Sequence, residues 1–183
     1  MLKLIYVAVA VVFLSGFTTK PKKFPEINYT TNQGTTFSNA DFAGKKTIVV
    51  LFHLGCPPAM DLLKDLESLP ENENIQIVGI LENSPNQIKA FNSKEENEFS
   101  SIRRSYQLNP VHIPLIGECD SRAVAKNKTT SGVQCRMLAK KIKTKVSPTL
   151  VYVNTDGSIK KIRKGYISSE TPLEERLKYL LDF

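Results

Sequence analysis

Cysteine is scarce in this sequence, and no two of its three cysteines stand close together. Cys56, Cys119 and Cys135 are scattered, and no second cysteine follows Cys56 at three residues, so no local dithiol is written into the chain. Together with the two histidines, His53 and His112, they show none of the short ligand pairs of a zinc site. A metal is therefore not expected, and no motif asks for an organic cofactor. The chain also lacks an internal repeat or a break in composition, which argues for one domain with one core at this length. Its net charge of +7 comes from Lys and Arg residues spread from Lys20 to Lys178 without the aromatic interleaving of a single-strand-binding platform. Nucleic acid is accordingly not an expected partner.

Charge is absent altogether from Leu4 to Phe17, after Lys3 and before the small and polar residues Thr18 and Thr19. A positive start, a short apolar run and a small-residue exit form the pattern of a secretory signal over residues 1–19. Fourteen residues of helix reach about 21 Å, short of the roughly 30 Å hydrocarbon core, so a spanning helix is the weaker reading. No cysteine follows Gly16, which disfavours a lipid anchor, and no clear A-x-A cleavage site is present, which keeps an uncleaved N-terminal anchor as the alternative. The folded domain is expected over residues 23–183. An exported protein carries its thiols where disulfides persist.

Lys20 to Gln33 is polar, contains Pro21 and Pro25, and reads as an exposed lead-in. Thr47 to His53 is a continuous β-branched and aromatic run, the mark of a strand covered on both faces. From Pro57 the period changes: Met60, Leu62, Leu63, Leu66 and Leu69 recur at helical spacing up to Pro70. Ile75 to Leu81 is a second buried strand, residues 85–91 and 98–106 are helical, and Val133 to Ile142 is a further helix. Pro148 to Asn154 and Ser158 to Tyr166 flank Asp156-Gly157 as a hairpin. A last helix over residues 172–181 packs through Leu173, Leu177, Leu180 and Leu181. This order gives an α/β class: a central mixed sheet flanked by helices, ending in a β-hairpin. Chemistry in such sheets sits at the carboxyl ends of the strands, where Cys56 lies.

A thiol at a strand-to-helix junction is expected to face unpaired N–H groups and the positive end of the helix dipole, conditions that favour thiolate. Pro57 and Pro58 suit the first helical positions. The competing reading makes Cys56 a small buried hydrophobe. Cys119 follows a short apolar strand and Cys135 opens a helix. Either they form a structural disulfide, closing a loop of about 17 residues worth roughly 3 kcal/mol in the chain-entropy model, or one of them resolves an adduct on Cys56.

"FHLGCPPAM", "IVGILENSPNQIKAF" and "VSPTLVYVNTDGSIKKIRKG" together resemble the exported thioredoxin-like proteins of the TlpA and ResA type, within the redoxin and AhpC/TSA superfamily. The resemblance covers residues 23–181. It implies a thioredoxin-like fold with a cis-Pro loop at Ser147-Pro148 before the C-terminal β-hairpin, Cys56 as attacking thiol, and Pro57, Pro58, Ser147 and Pro148 as the edge where a substrate strand docks. Ala59 stands where the family has its second cysteine, Gly55 where it has tryptophan, and Val50 where thioredoxin has a buried aspartate. Glu82 falls near the glutamate of the exported relatives and is a candidate proton acceptor. His53 replaces the peroxide-binding threonine or serine expected of a peroxiredoxin, which speaks against peroxidase activity.

The resulting expectation is an exported thiol-disulfide oxidoreductase, periplasmic in a bacterium or extracellular. It would work through Cys56 alone, be resolved by Cys119, Cys135 or an external thiol, and have protein or small-molecule thiols and disulfides as partners. The alternative is a non-catalytic thioredoxin-fold domain that binds extended peptides, with a peroxidase third.

Overall fold

The computed structural model describes residues 21–70, 72–109, 111–119, 136–167 and 169–183. A two-stranded hairpin comes first, β1 (Asn28–Thr30) with β2 (Thr36–Ser38). The main sheet contains β3 (Lys46–Phe52), β4 (Ile75–Leu81), β5 (Leu115–Gly117), β6 (Thr149–Val153) and β7 (Ile159–Lys164) in the order β5-β4-β3-β6-β7. β3, β4 and β5 run parallel, while β6 and β7 are antiparallel, so the sheet is mixed as expected. The helices are α1 (Pro57–Glu67), α2 (Pro85–Asn92), α3 (Glu98–Ser105), α4 (Met137–Ile142) and α5 (Leu173–Leu181). The signal-segment reading of residues 1–19 and the first residues of the helix expected over Val133 to Ile142 lie outside the described residues. No helix among the described residues is long and apolar enough to cross a membrane.

The uninterrupted apolar run of β3 follows from its central place. Successive side chains point to opposite faces, and both faces are covered. Ile48, Val50 and Phe52 join a core with Leu62, Leu63 and Leu66 of α1 and Leu180 of α5. Val49 and Leu51 join a second core with Leu138 and Ile142 of α4 and with Phe24, Phe37 and Phe42. The second core corrects the reading of Lys20 to Gln33 as an exposed lead-in. Phe24 is 4% exposed and Ile27 7%, and Phe24 meets Phe42 edge to face with ring centroids 5.1 Å apart. Two apolar side chains were enough to dock a mostly polar segment, because the outer face of the sheet would otherwise lie bare to water.

Two polar devices fix the helices. Arg103 is buried without a carboxylate and donates to the carbonyls of Phe91 (2.8 Å), Leu108 (3.0 Å) and Ser93 (3.2 Å), tying the end of α2 to α3. Asp65 of α1 takes a bidentate pair from Arg176 of α5 and a hydrogen bond from Tyr166.

Three tyrosines make the fold sensitive to alkali. Burial pushes the Tyr152 hydroxyl up to about 12, while burial and the neighbouring Glu118 do the same for Tyr29. Burial and the hydrogen bond to Asp65 raise Tyr166 as well. A raised folded-state value means the native protein keeps a proton that the unfolded chain releases above about pH 10, so this stability is complete below pH 10 and declines as pH rises toward 12. For the fully buried Tyr152 the slope is about 1.4 kcal/mol per pH unit. Urea midpoints should hold up to about pH 10 and then fall steeply, with tyrosinate absorbance appearing in step with unfolding; tyrosinate rising well before the fold is lost would contradict the assignment.

Candidate active site

The site begins with a turn. The Cys56 N–H donates to the His53 carbonyl at 3.4 Å, and Gly55, the third residue of that turn, has φ +88. A type II turn requires a positive φ at this position, which L side chains rarely adopt. The glycine found where tryptophan was expected from the resemblance is thus the residue this backbone calls for. His53 is exposed, with Nδ1 3.0 Å from the Leu54 carbonyl.

Asn83, which the sequence did not single out, anchors this turn. Its Oδ1 accepts the Leu54 N–H at 2.8 Å. Its Nδ2 donates to Gln87 Oε1 at 3.4 Å, and Gln87 also completes the capping box of α2 with Ser84. Its place just past a strand end, next to the glutamate singled out in the resemblance, carries no mark in the sequence, and its burial shows only in the fold. Asn83→Ala leaves the Leu54 N–H buried without an acceptor, at a cost of about 1–3 kcal/mol. The variant should stay folded yet react more slowly at Cys56 with a disulfide probe; an unchanged rate would show that Asn83 does not position the turn.

Cys56 is the N-cap of α1, half-buried and free. Its thiol donates to the Ser147 carbonyl across 3.6 Å. Ser147-Pro148 is cis, as the resemblance implied, and this loop faces the thiol. The expected N–H groups around the sulfur are not there. Pro57 and Pro58 carry no N–H, and the next two donors, Ala59 and Met60, bond the Cys56 carbonyl at 2.9 and 3.1 Å. The side chain of Cys56 makes no capping bond. The proline pair that suits the helix start therefore removes the contacts expected to favour thiolate and leaves the dipole alone. Ala59 is 1% exposed and packs into the core, and Val50 lies in the same core.

Glu82 follows β4 directly, and the Phe52 carbonyl accepts its N–H at 2.9 Å. Its carboxylate lies 2.6 Å from Arg136 Nε, and no contact joins it to Cys56 among the described residues. Cys119 lies two residues beyond β5 and is disulfide-bonded, so it is not a free resolving thiol here. Its sulfur lies 2.9 Å from the Glu82 carbonyl, and its N–H donates to the Asn83 carbonyl at 3.3 Å. Cys135 lies outside the described residues. Cys56 and Cys119 thus stand on one rim of the sheet, two strands apart, which is about 10 Å at the usual strand spacing. Beside them Glu118 accepts the Leu138 N–H at 2.5 Å and the Tyr29 hydroxyl at 3.2 Å, and burial raises its pKa.

No cluster of metal-ligating side chains occurs among the described residues. A groove of about 490 Å³ between Leu66, Ile77 and Leu181 lies at the far end of α1 from Cys56. Cys56 is half-buried, and Pro57, Pro58 and Val146, next to it in the chain or to the facing Ser147, are exposed.

A half-buried thiol at a helix N-terminus, opposite a cis-proline loop at the carboxyl end of a mixed sheet, defines a thioredoxin-like thiol protein. The sequence matches the model of the AhpC/TSA family over residues 21–162, and the chain belongs to that family. Among solved structures it is similar to StoA from Bacillus subtilis, with a TM-score of 0.52 and 18% identity over 84% of this chain and 98% of that one. It is also similar to a thiol-disulfide oxidoreductase from Bacteroides fragilis, with a TM-score of 0.55 and 17% identity over 87% of this chain and 100% of that one. The mitochondrial 2-Cys peroxiredoxin from Plasmodium falciparum matches with a TM-score of 0.57 and 14% identity, over 87% of this chain and 90% of that one. Among curated proteins none matches significantly. These likenesses establish the thioredoxin-like fold, and the family supports a redox function.

Proposed function

We propose that this protein is an exported thiol-disulfide oxidoreductase that works through the single thiol of Cys56. The observation that carries the reading is the free Cys56 facing the Ser147 carbonyl at 3.6 Å, with Ala59 buried where a second thiol would stand. The Cys56 thiolate attacks one sulfur of a substrate disulfide, forms a mixed disulfide, and releases the other half as a thiolate that takes up a proton. An external thiolate then attacks the substrate sulfur of the adduct, forming a new disulfide with it and returning Cys56 as thiolate. The cycle exchanges one thiol for another and needs no net oxidant. Because Cys119 is already in a disulfide, the external thiol is the favoured resolving group. The edge formed by Pro57, Pro58, Ser147 and Pro148 would hold the substrate. Glu82, held by Arg136, is a weaker candidate for proton transfer than the sequence suggested.

Export is supported by the uncharged N-terminal run and by a disulfide at Cys119, which persists in an oxidising compartment such as the periplasm. A second reading, a binding domain without turnover, is favoured by the missing N–H donors around the Cys56 sulfur. Intact-mass analysis after incubation with a cystine peptide tests the choice. The oxidoreductase reading expects one half-peptide on Cys56, released by added glutathione. No adduct, or an adduct that persists, supports the binder. Release that depends on Cys119 or Cys135 rather than on added thiol would assign resolution to the chain itself.

A further inference from the structure

The cis-proline rim is strongly and one-sidedly charged. Lys143 ends α4, Lys145 stands two residues before Ser147, and Lys164 ends β7 opposite Thr149, where the next residue, Gly165, donates its N–H to the Pro148 carbonyl at 2.7 Å. All three lysines are exposed, and none makes an ion pair or a side-chain hydrogen bond among the described residues. The carboxylates on the neighbouring strand ends are engaged elsewhere, Glu82 by Arg136 and Glu118 by the Leu138 N–H and the Tyr29 hydroxyl. Asp61, one turn into α1, is the acidic residue nearest to Cys56 in sequence. Val146, 41% exposed between Lys145 and Ser147, gives the same rim an apolar contact.

Three unpaired like charges close together repel one another and gain nothing from the fold. Elsewhere on the surface two lysines are matched, Lys23 with Asp156 and Lys161 with Asp182, while others such as Lys22, Lys45 and Lys94 are exposed without an ion pair among the described residues. Lys143, Lys145 and Lys164 are set apart by their place, beside the cis-proline loop that faces the reactive thiol.

We propose that this rim selects an acidic partner: an extended disulfide- or thiol-bearing segment with Asp or Glu flanking its cysteine, drawn to Lys143, Lys145 and Lys164 and laid along Val146 toward Cys56. The inference deepens the oxidoreductase reading by naming its substrate class, but docking by charge does not need turnover.

The test therefore measures binding separately from chemistry. Cys56→Ser protein, checked for its fold by circular dichroism, is titrated with labelled cystine peptides that differ only in acidic, neutral or basic flanks, at low and physiological salt. Because steering by focused charge is worth about tenfold or more and is screened within roughly 10 Å at moderate salt, the acidic peptide should bind at least about tenfold more tightly than the basic one at low salt, with the gap closing as salt rises. Lys143→Glu/Lys145→Glu/Lys164→Glu should invert the order. Lys22→Glu/Lys45→Glu/Lys94→Glu, which changes the net charge equally at exposed positions away from the thiol, should keep it. Equal affinities, no detectable binding of the acidic peptide, or a preference that survives the rim triple would overturn the proposal. An acidic preference together with no adduct on wild-type Cys56 would sink the oxidoreductase reading and leave this one standing.

Discussion

Cys56→Ser should abolish formation of the mixed disulfide and lower the rate of disulfide exchange by at least about a thousandfold, because a serine hydroxyl cannot replace a thiolate as the attacking group. Among the described residues the surroundings leave no substitute. Ala59, on the first turn of α1, has no nucleophile to offer, Cys119 is held in a disulfide two strands away, and the side-chain partners of Glu82 and Asn83 are protein groups. The fold should be indifferent to the change, since the Cys56 side chain makes one weak hydrogen bond, to Ser147, and no cap. A urea midpoint close to that of the unmodified protein, measured alongside the rate, separates loss of chemistry from loss of structure. Residual exchange above a few per cent would transfer the role to another thiol.

The fold was legible where one physical signal dominated. The run from Thr47 to His53 and the helical spacing from Met60 to Leu66 point to the central strand and its helix, because a strand buried on both faces and a half-buried helix impose different periods. The hairpin around Asp156-Gly157 was readable from turn chemistry alone, and Gly157 has φ +77 there. The docking of Phe24 and Ile27 was not, because two apolar residues in a polar stretch show no period. The site was half legible. Cys56 and the Ser147-Pro148 loop lie 91 residues apart in sequence, yet each carries a local mark, and the fold brings them together. Asn83 carries none: its importance arises from the Leu54 N–H that the turn leaves without a backbone partner, a need created only by the folded chain. The effect of Pro57 and Pro58 was misread for a related reason. Their fit to a helix start is a local property, whereas the loss of N–H donors at the sulfur follows from where Ala59 and Met60 direct theirs.

Arg176→Met should be the most destabilising single change outside the apolar core, at about 3–5 kcal/mol, a large share of the roughly 5–15 kcal/mol that holds a domain folded. Asp65 is 3% exposed and faces Arg176 through two contacts, Oδ2 to Nε at 2.7 Å and Oδ1 to Nη2 at 3.0 Å, while the Tyr166 hydroxyl donates to Oδ2 at 2.7 Å. Arg176 also donates to the carbonyls of Ser169 and Thr171, at 2.6 and 2.8 Å, so that one guanidinium joins α1, α5 and the chain between β7 and α5. Removing it strands a carboxylate in the interior, with Tyr166 as its one remaining side-chain partner among the described residues. Asp65→Asn combined with Arg176→Met removes the stranded charge together with its counterion, and the double variant should be more stable than Arg176→Met alone. That reversal distinguishes a charge problem from a packing problem, since a pure loss of contacts would make the double variant worse. Urea unfolding of the two variants decides between them. The consequence reaches the thiol, because Asp65 fixes the helix at whose N-terminus Cys56 stands. Arg176→Met protein that is still folded at low temperature should therefore also react more slowly at Cys56, whereas an unaltered rate would confine the cluster to stability.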